Sequence, residues 1–228
     1  MKPKTYLITG CSKGIGFEFV KIALEKGHKV IGISRNITPL NNLNHQNLSS
    51  LSIDISNYES INSLRKWIDE HNIYLDALIN NAGYLINKPF EEISIQEINQ
   101  VLNTNFTGPT LLIQSLINRL NEGAHILNIG SMGGFQGSVK FPGLSIYSSS
   151  KGALSILTEC LAEEFKEKNL IFNCLCLGSV QTEMLQKAFP GYQAPISSKE
   201  MAKYFYNFIS LKPTLYKGKV LPVSLSTP

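Results

Sequence analysis

Short apolar runs alternate with longer stretches of helical period along the chain. Tyr6 to Thr9 reads as a strand. Ile15 to Lys26 follows as a helix, with Ile15, Phe19, Ile22 and Ala23 at helical spacing, and stops at Gly27, a natural terminator. Lys29 to Ser34 and Leu51 to Ile53 read as the second and third strands, and Ser60 to His71 as a helix with Ile61, Leu64 and Ile68 on one side. Asp76 to Asn80 is the fourth strand, followed by the turn composition Asn-Ala-Gly. Helical period resumes from Ser94 to Leu120, with a bend expected near Thr107-Gly-Pro109 because proline removes a helix hydrogen bond. Ala124 to Ile129 is the fifth strand, and a glycine-rich stretch runs from Gly130 to Gly143. Tyr147 to Lys168 reads as a long helix, Ile171 to Leu177 as the sixth strand, Ser198 to Ile209 as a helix and Lys219 to Val223 as a seventh strand.

Strands alternating with helices call for a parallel sheet covered on both faces. No linker, repeat or low-complexity block divides the chain, so the expectation is one doubly wound α/β domain over residues 1–228, with Asn36 to Asn47 as a surface loop or short helix. A hydrophobic fraction of 43% supplies a core and argues against disorder. The excess of 21 Lys+Arg over 17 Asp+Glu is spread out, which makes nucleic acid a poor partner. No run approaches the ~18 apolar residues of a membrane span, and the first residues lack the apolar core of a signal peptide, so a soluble cytoplasmic protein is expected. Four irregularly spaced cysteines suit a reducing compartment, and His28, His45, His71 and His125 show no metal-ligand spacing.

Thr9-Gly10-Cys11-Ser12-Lys13-Gly14-Ile15-Gly16 lies where the first strand passes into the first helix. Small residues there let a pyrophosphate approach the backbone, and amides at a helix N-terminus hold its charge. Gly10, Ser12, Lys13, Gly14, Ile15 and Gly16 are therefore candidate cofactor contacts, an ordinary glycine turn being the alternative. Folds of this kind often place a carboxylate after the second strand to grip a ribose hydroxyl. Here that place reads Gly32-Ile-Ser-Arg35. Arg35 and Lys13 are suited to a 2′-phosphate, which favours NADP(H) over NAD(H); otherwise they are solvated surface cations.

Tyr147-Ser-Ser-Ser-Lys151 puts a phenol and an ammonium on one helix face. The positive charge stabilises phenolate, as general acid–base catalysis near neutral pH requires. Ser131 ends the fifth strand, at the edge where ligands of doubly wound sheets bind.

In this order the motifs resemble those of the short-chain dehydrogenase/reductase family: Thr9-Gly10-x3-Gly14-x-Gly16, Asp54, Asn80-Asn-Ala-Gly83, Asn105, Ser131, Tyr147-x3-Lys151, Asn173 and Leu177-Gly-Ser-Val-Gln-Thr182. The resemblance implies a Rossmann fold and reversible hydride transfer between NADP(H) and a carbonyl or alcohol, with reduction of a ketone or aldehyde, such as a 3-oxoacyl thioester or small ketone, as the cellular direction. By the same resemblance Tyr147 is the acid or base, Ser131 orients the substrate oxygen, Lys151 holds the nicotinamide ribose, and Asn105 kinks its helix and serves a proton relay. Asp54 would contact the adenine, Asn81, Ala82 and Gly83 would line the adenine-ribose side, and Gly178, Val180 and Thr182 would meet the nicotinamide. A homodimer or homotetramer is also implied.

Sixteen positions separate Ser131 from Tyr147, a longer interval than the family usually shows. Phe135, Gln136 and Phe141 in the intervening loop are candidate substrate contacts, and Ser138 and Ser145 rival Ser131. Leu177 stands where the family has proline, and Glu183 to Ser197 fall where it has a lid, with Phe189-Pro-Gly-Tyr192 as an apolar edge. The competing function is an NADP(H)-binding sensor or regulator of the same fold without turnover.

Overall fold

The computed structural model describes residues 2–210 and 215–225. Its strands are β1 Thr5–Thr9, β2 Lys29–Ser34, β3 Leu48–Ser52, β4 Leu75–Asn80, β5 Leu120–Ser131, β6 Ile171–Leu177, β7 Val180–Gln181, β8 Ile196–Ser197 and β9 Lys219–Val223. The helices are α1 Gly14–Glu25, α2 Thr38–Asn41, α3 Tyr58–Glu70, α4 Ile95–Leu102, α5 Gly108–Leu116, α6 Ser145–Glu164, α7 Glu183–Ala188 and α8 Ser198–Ser210.

Seven strands form one parallel sheet in the order β3-β2-β1-β4-β5-β6-β9, so the winding reverses between β1 and β4. Alternate residues of each strand bury against opposite layers, which is why these strands read as continuous apolar runs. Tyr6, Ile8, Val30, Ile79 and Leu127 pack with Phe19 and Val20 of α1 and Phe205 of α8. Leu7, Ile31, Leu78, Ile126 and Phe172 pack with Ile61 and Leu64 of α3 and Leu112 and Leu116 of α5. This is a doubly wound Rossmann fold. No described helix is long and apolar enough to cross a membrane.

Several boundaries differ from the sequence reading. The third strand spans Leu48–Ser52, not Leu51 to Ile53. Its Leu-Ser-Ser-Leu-Ser composition, half-buried at a sheet edge, carries little periodic signal, and pairing of Val30 with Leu48 sets its register. The bend expected near Pro109 comes from a π-helical turn, Asn103–Thr107, between α4 and α5. Pro109 itself sits in the first turn of α5, where its missing N–H costs nothing. The fifth strand starts at Leu120, earlier than expected, before the register shift opposite Leu75/Ala77. The long helix ends at Glu164, and Lys166–Lys168 form a tighter turn closed by Asn169 at φ 51. Segment 183–197 contains the short α7.

Candidate active site

At the reversal between β1 and β4 the carboxyl ends of the strands diverge, and a cleft of about 640 Å³ opens there. The glycine loop forms one wall. Gly10 has φ +68, and a Cβ on it would lie 2.6 Å from Ala82 Cα, so glycine is required by both conformation and space. A Cβ on Gly16 would lie 2.6 Å from both Gly10 O and Asn81 Nδ2. Thr9 Oγ1 accepts the amides of Asn81 and Ala82 at 3.0 and 2.8 Å, and Asn81 Nδ2 donates to Thr9 O and Gly10 O. The start of α4's preceding loop is thereby tied to the glycine loop. Helix α1 starts after Lys13 with no side-chain cap and no acidic residue in its first turn, which leaves its positive end available to an anion. The bare backbone and open helix terminus fit a dinucleotide pyrophosphate.

Gly10, Ser12, Lys13, Gly14, Ile15, Arg35, Asp54, Asn81, Ala82, Gly83, Ser131, Tyr147, Lys151, Gly178, Val180 and Thr182 all line the cleft. Gly16 and Asn105 stand just behind its walls. Lys13 and Arg35 are exposed, at the ends of adjacent strands β1 and β2. Asp54 Oδ1 accepts from the amide and hydroxyl of Ser56 at 2.9 and 2.7 Å, while Asn57 caps α3. Thr182 Oγ1 accepts from Leu185 N as the cap of α7, and Val180 is buried. Asn173, placed in the family pattern, holds β9 to β6: its amide donates to Tyr216 O at 2.8 Å and its Oδ1 accepts from Lys219 N at 3.0 Å.

Ser131 arrives from β5, and Tyr147 and Lys151 from the first two turns of α6. The Ser131 hydroxyl accepts from Gly133 N at 3.2 Å and lies close to the Tyr147 phenol. Burial raises the Tyr147 pKa above its ordinary value of 10 and the nearby Ser131 hydroxyl only partly opposes this, so Lys151 does not hold the resting phenol near neutrality as the sequence predicts. Lys151 Nζ donates to Ile129 O at 2.7 Å, and burial pushes its pKa down to about 8. Asn105 lies in the π turn, fully buried. Its Oδ1 accepts from Tyr84 N at 2.7 Å, and its Nδ2 donates to Tyr84 O at 2.9 Å and Ser150 Oγ at 3.0 Å. Ser150 in turn donates to Tyr147 O at 2.7 Å, so Asn105 grips the helix that carries the phenol. A Cβ on Gly83 would lie 3.7 Å from both Asn105 Oδ1 and Lys151 Nζ, so both groups border Gly83.

The loop after Ser131 is divided. Phe141 lines the cleft. Phe135 packs inward with Met132, Cys174 and Cys176, and Gln136 is exposed away from the cleft lining, so neither is the contact expected of it. Ser138 is occupied with Phe135 O and Met132 O, and Ser145 is exposed at the start of α6; neither lines the cleft. Cys11, at the floor of the glycine loop, is buried with its thiol against Ile33 O. Sequence reasoning missed Thr9 as an anchor of the loop, Ser150 as the link from Asn105 to Tyr147, and the wall residues Tyr84, Leu85 and Met184. Thr9 was visible beside Gly10, but nothing distinguished Ser150 from its two serine neighbours.

The chain matches the short chain dehydrogenase family model over residues 4–193. It is 30% identical to an uncharacterized oxidoreductase of Staphylococcus saprophyticus, over 99% of this chain and 88% of that one. It is 33% identical to an uncharacterized oxidoreductase of Schizosaccharomyces pombe over 78% of this chain, a stretch that spans only 61% of that relative's length. Among solved structures, 4-hydroxyisoleucine dehydrogenase complexed with NADH is similar with a TM-score of 0.88 and 25% identity over 97% of each chain. The chain belongs to the short-chain dehydrogenase family.

Proposed function

We propose that the protein is an NADP(H)-dependent carbonyl reductase acting on a ketone or aldehyde. One observation carries the reading: Ser131, Tyr147 and Lys151, from two different elements, meet in the same cleft as the bare glycine loop. The loop backbone from Gly10 to Gly16 would hold the pyrophosphate, Lys13 and Arg35 the 2′-phosphate, Asp54, Ala82 and Gly83 the adenosine side, and Gly178, Val180 and Thr182 the nicotinamide. The bound nicotinamide supplies the hydride that reaches the carbonyl carbon.

The chain's own groups handle the proton. Ser131 donates a hydrogen bond to the carbonyl oxygen and fixes it beside Tyr147. The phenol, kept protonated by its raised pKa, transfers its proton to that oxygen as negative charge develops. Lys151, cationic below about pH 8, stabilises the phenolate left behind. Asn105 keeps Tyr147 in place through Ser150. A protonated phenol at rest suits reduction better than oxidation, since the reverse reaction needs phenolate first.

Tyr147→Phe removes the transferable proton and leaves the ring. Its kcat/KM for a reduced carbonyl should fall by on the order of 10²–10⁴, with NADPH binding by nicotinamide fluorescence retained. Turnover at the parent rate would end the assignment. NADPH binding without turnover by the parent protein, across a broad carbonyl panel, would identify a cofactor sensor.

A further inference from the structure

We infer that the substrate end of the cleft takes an uncharged carbonyl compound with an aryl or alkyl body and rejects keto acids; this rests on the reductase reading above. Lys13, Arg35 and Asp54 follow β1, β2 and β3, on the far side of the sheet reversal from Ser131. Glu183 Oε2 lies 3.6 Å from where a Cβ on Gly14 would be, over the glycine loop. Among the described residues lining the β5–β6 side, Lys151 alone is a cation. It is 3% exposed and already donates to Ile129 O, so it offers no surface to a substrate anion.

The polar groups at this end are already allotted. On the reductase reading Ser131 and Tyr147 are taken by the reacting oxygen, and the Ser179 and Tyr192 hydroxyls bond each other at 3.0 Å. Ser224 adds a further hydroxyl beside Gly178, and the rest of the wall is mostly apolar. Tyr84, Phe141 and Tyr192 present rings that are 37%, 46% and 48% exposed, and Leu85, Met132 and Met184 line the cleft between them. Aromatic faces and adaptable thioethers gain from covering an apolar body. A carboxylate here would lose its hydration with no cation to replace it.

Ethyl benzoylformate and benzoylformate present the same aryl ketone as a neutral ester and as an anion. With saturating NADPH and the full-length protein, kcat/KM for the ester should exceed that for the acid by at least ~100-fold. Thermal shifts of the Tyr147→Phe protein with NADPH bound, whose reduced ring is uncharged, should show the ester, not the acid, stabilising the complex. Phe141→Arg places a cation at the exposed rim and should narrow the ratio by roughly 5-fold. An acid reduced as well as the ester, or an unchanged ratio in Phe141→Arg, overturns the inference while the reductase reading stands. Ester that binds but is not reduced supports the neutral cleft and overturns the reductase reading. If neither compound binds or reacts, both fall.

Discussion

Arg35 leaves β2 at the point where a ribose-gripping carboxylate would stand, and Lys13 rises from the adjacent turn after β1. Two cations there favour a dianionic phosphate through charge-assisted bonds and offer nothing specific to a free 2′-hydroxyl. Asp54, one strand further, has Oδ1 taken up by Ser56. NADPH should therefore bind at least ~10-fold tighter than NADH, a difference of about 1.4 kcal/mol, and Arg35→Ala should abolish most of that gap. Nicotinamide fluorescence titration of both proteins measures it, and equal affinities in the parent would remove the phosphate argument. These residues were legible in the sequence because each is tied to a strand end. Phe135 and Gln136 were not, because inside a glycine-rich loop no periodicity tells an inward side chain from one facing the cleft.

The π turn Asn103–Thr107 shows how one element serves both fold and site. It widens the helix between α4 and α5, and Gly108 follows because a Cβ there would sit 2.4 Å from Ile55 O. Periodicity and composition ascribe the bend to Pro109, because the extra residue that makes a π turn leaves no pattern of its own; the kink that the family resemblance implies at Asn105 has the right place. Asn105 fills the widened turn with hydrogen bonds to both backbone groups of Tyr84 and to Ser150. Asn105→Ala would leave buried partners unpaired and should cost roughly 2–4 kcal/mol of stability. Because the Ser150 link runs on to Tyr147, kcat should also fall while KM changes little. Urea unfolding and steady-state kinetics read the two effects. A variant as stable and as fast as the parent would show that the turn is held by the backbone alone.

Across the whole molecule, sheet topology and the strand-end cleft follow from a strongly periodic sequence, whereas the far edge of the sheet depends on polar contacts no pattern announces. There β9 returns beside β6, locked by Asn173, and Asn173 Nδ2 lies 3.0 Å from Nε2 of His125 on β5. His125 is 5% exposed and packs, rings tilted, against Phe208 of α8, so protonating it would bury an unpaired charge inside the knot joining β5, β6, β9 and α8. Burial, aided by the charge of Lys4, lowers its pKa from 6.5 to about 4. His28, buried between Tyr6 and Tyr206, is shifted in the same direction. Between pH 6.5 and 4 the unfolded chain binds protons that the folded chain refuses, so unfolding is favoured as pH falls through that window. The stability is complete above pH 6.5. For His125 the loss reaches roughly 3 kcal/mol by pH 4, at about 1.4 kcal/mol per pH unit. Urea midpoints taken at intervals from pH 7.5 to 4.5 should decline steadily below 6.5. In His125→Gln, whose amide oxygen replaces the acceptor facing Asn173 but does not titrate, the decline should be shallower. Parallel curves for the two proteins would place the acid sensitivity elsewhere, with His28 as the next residue to replace.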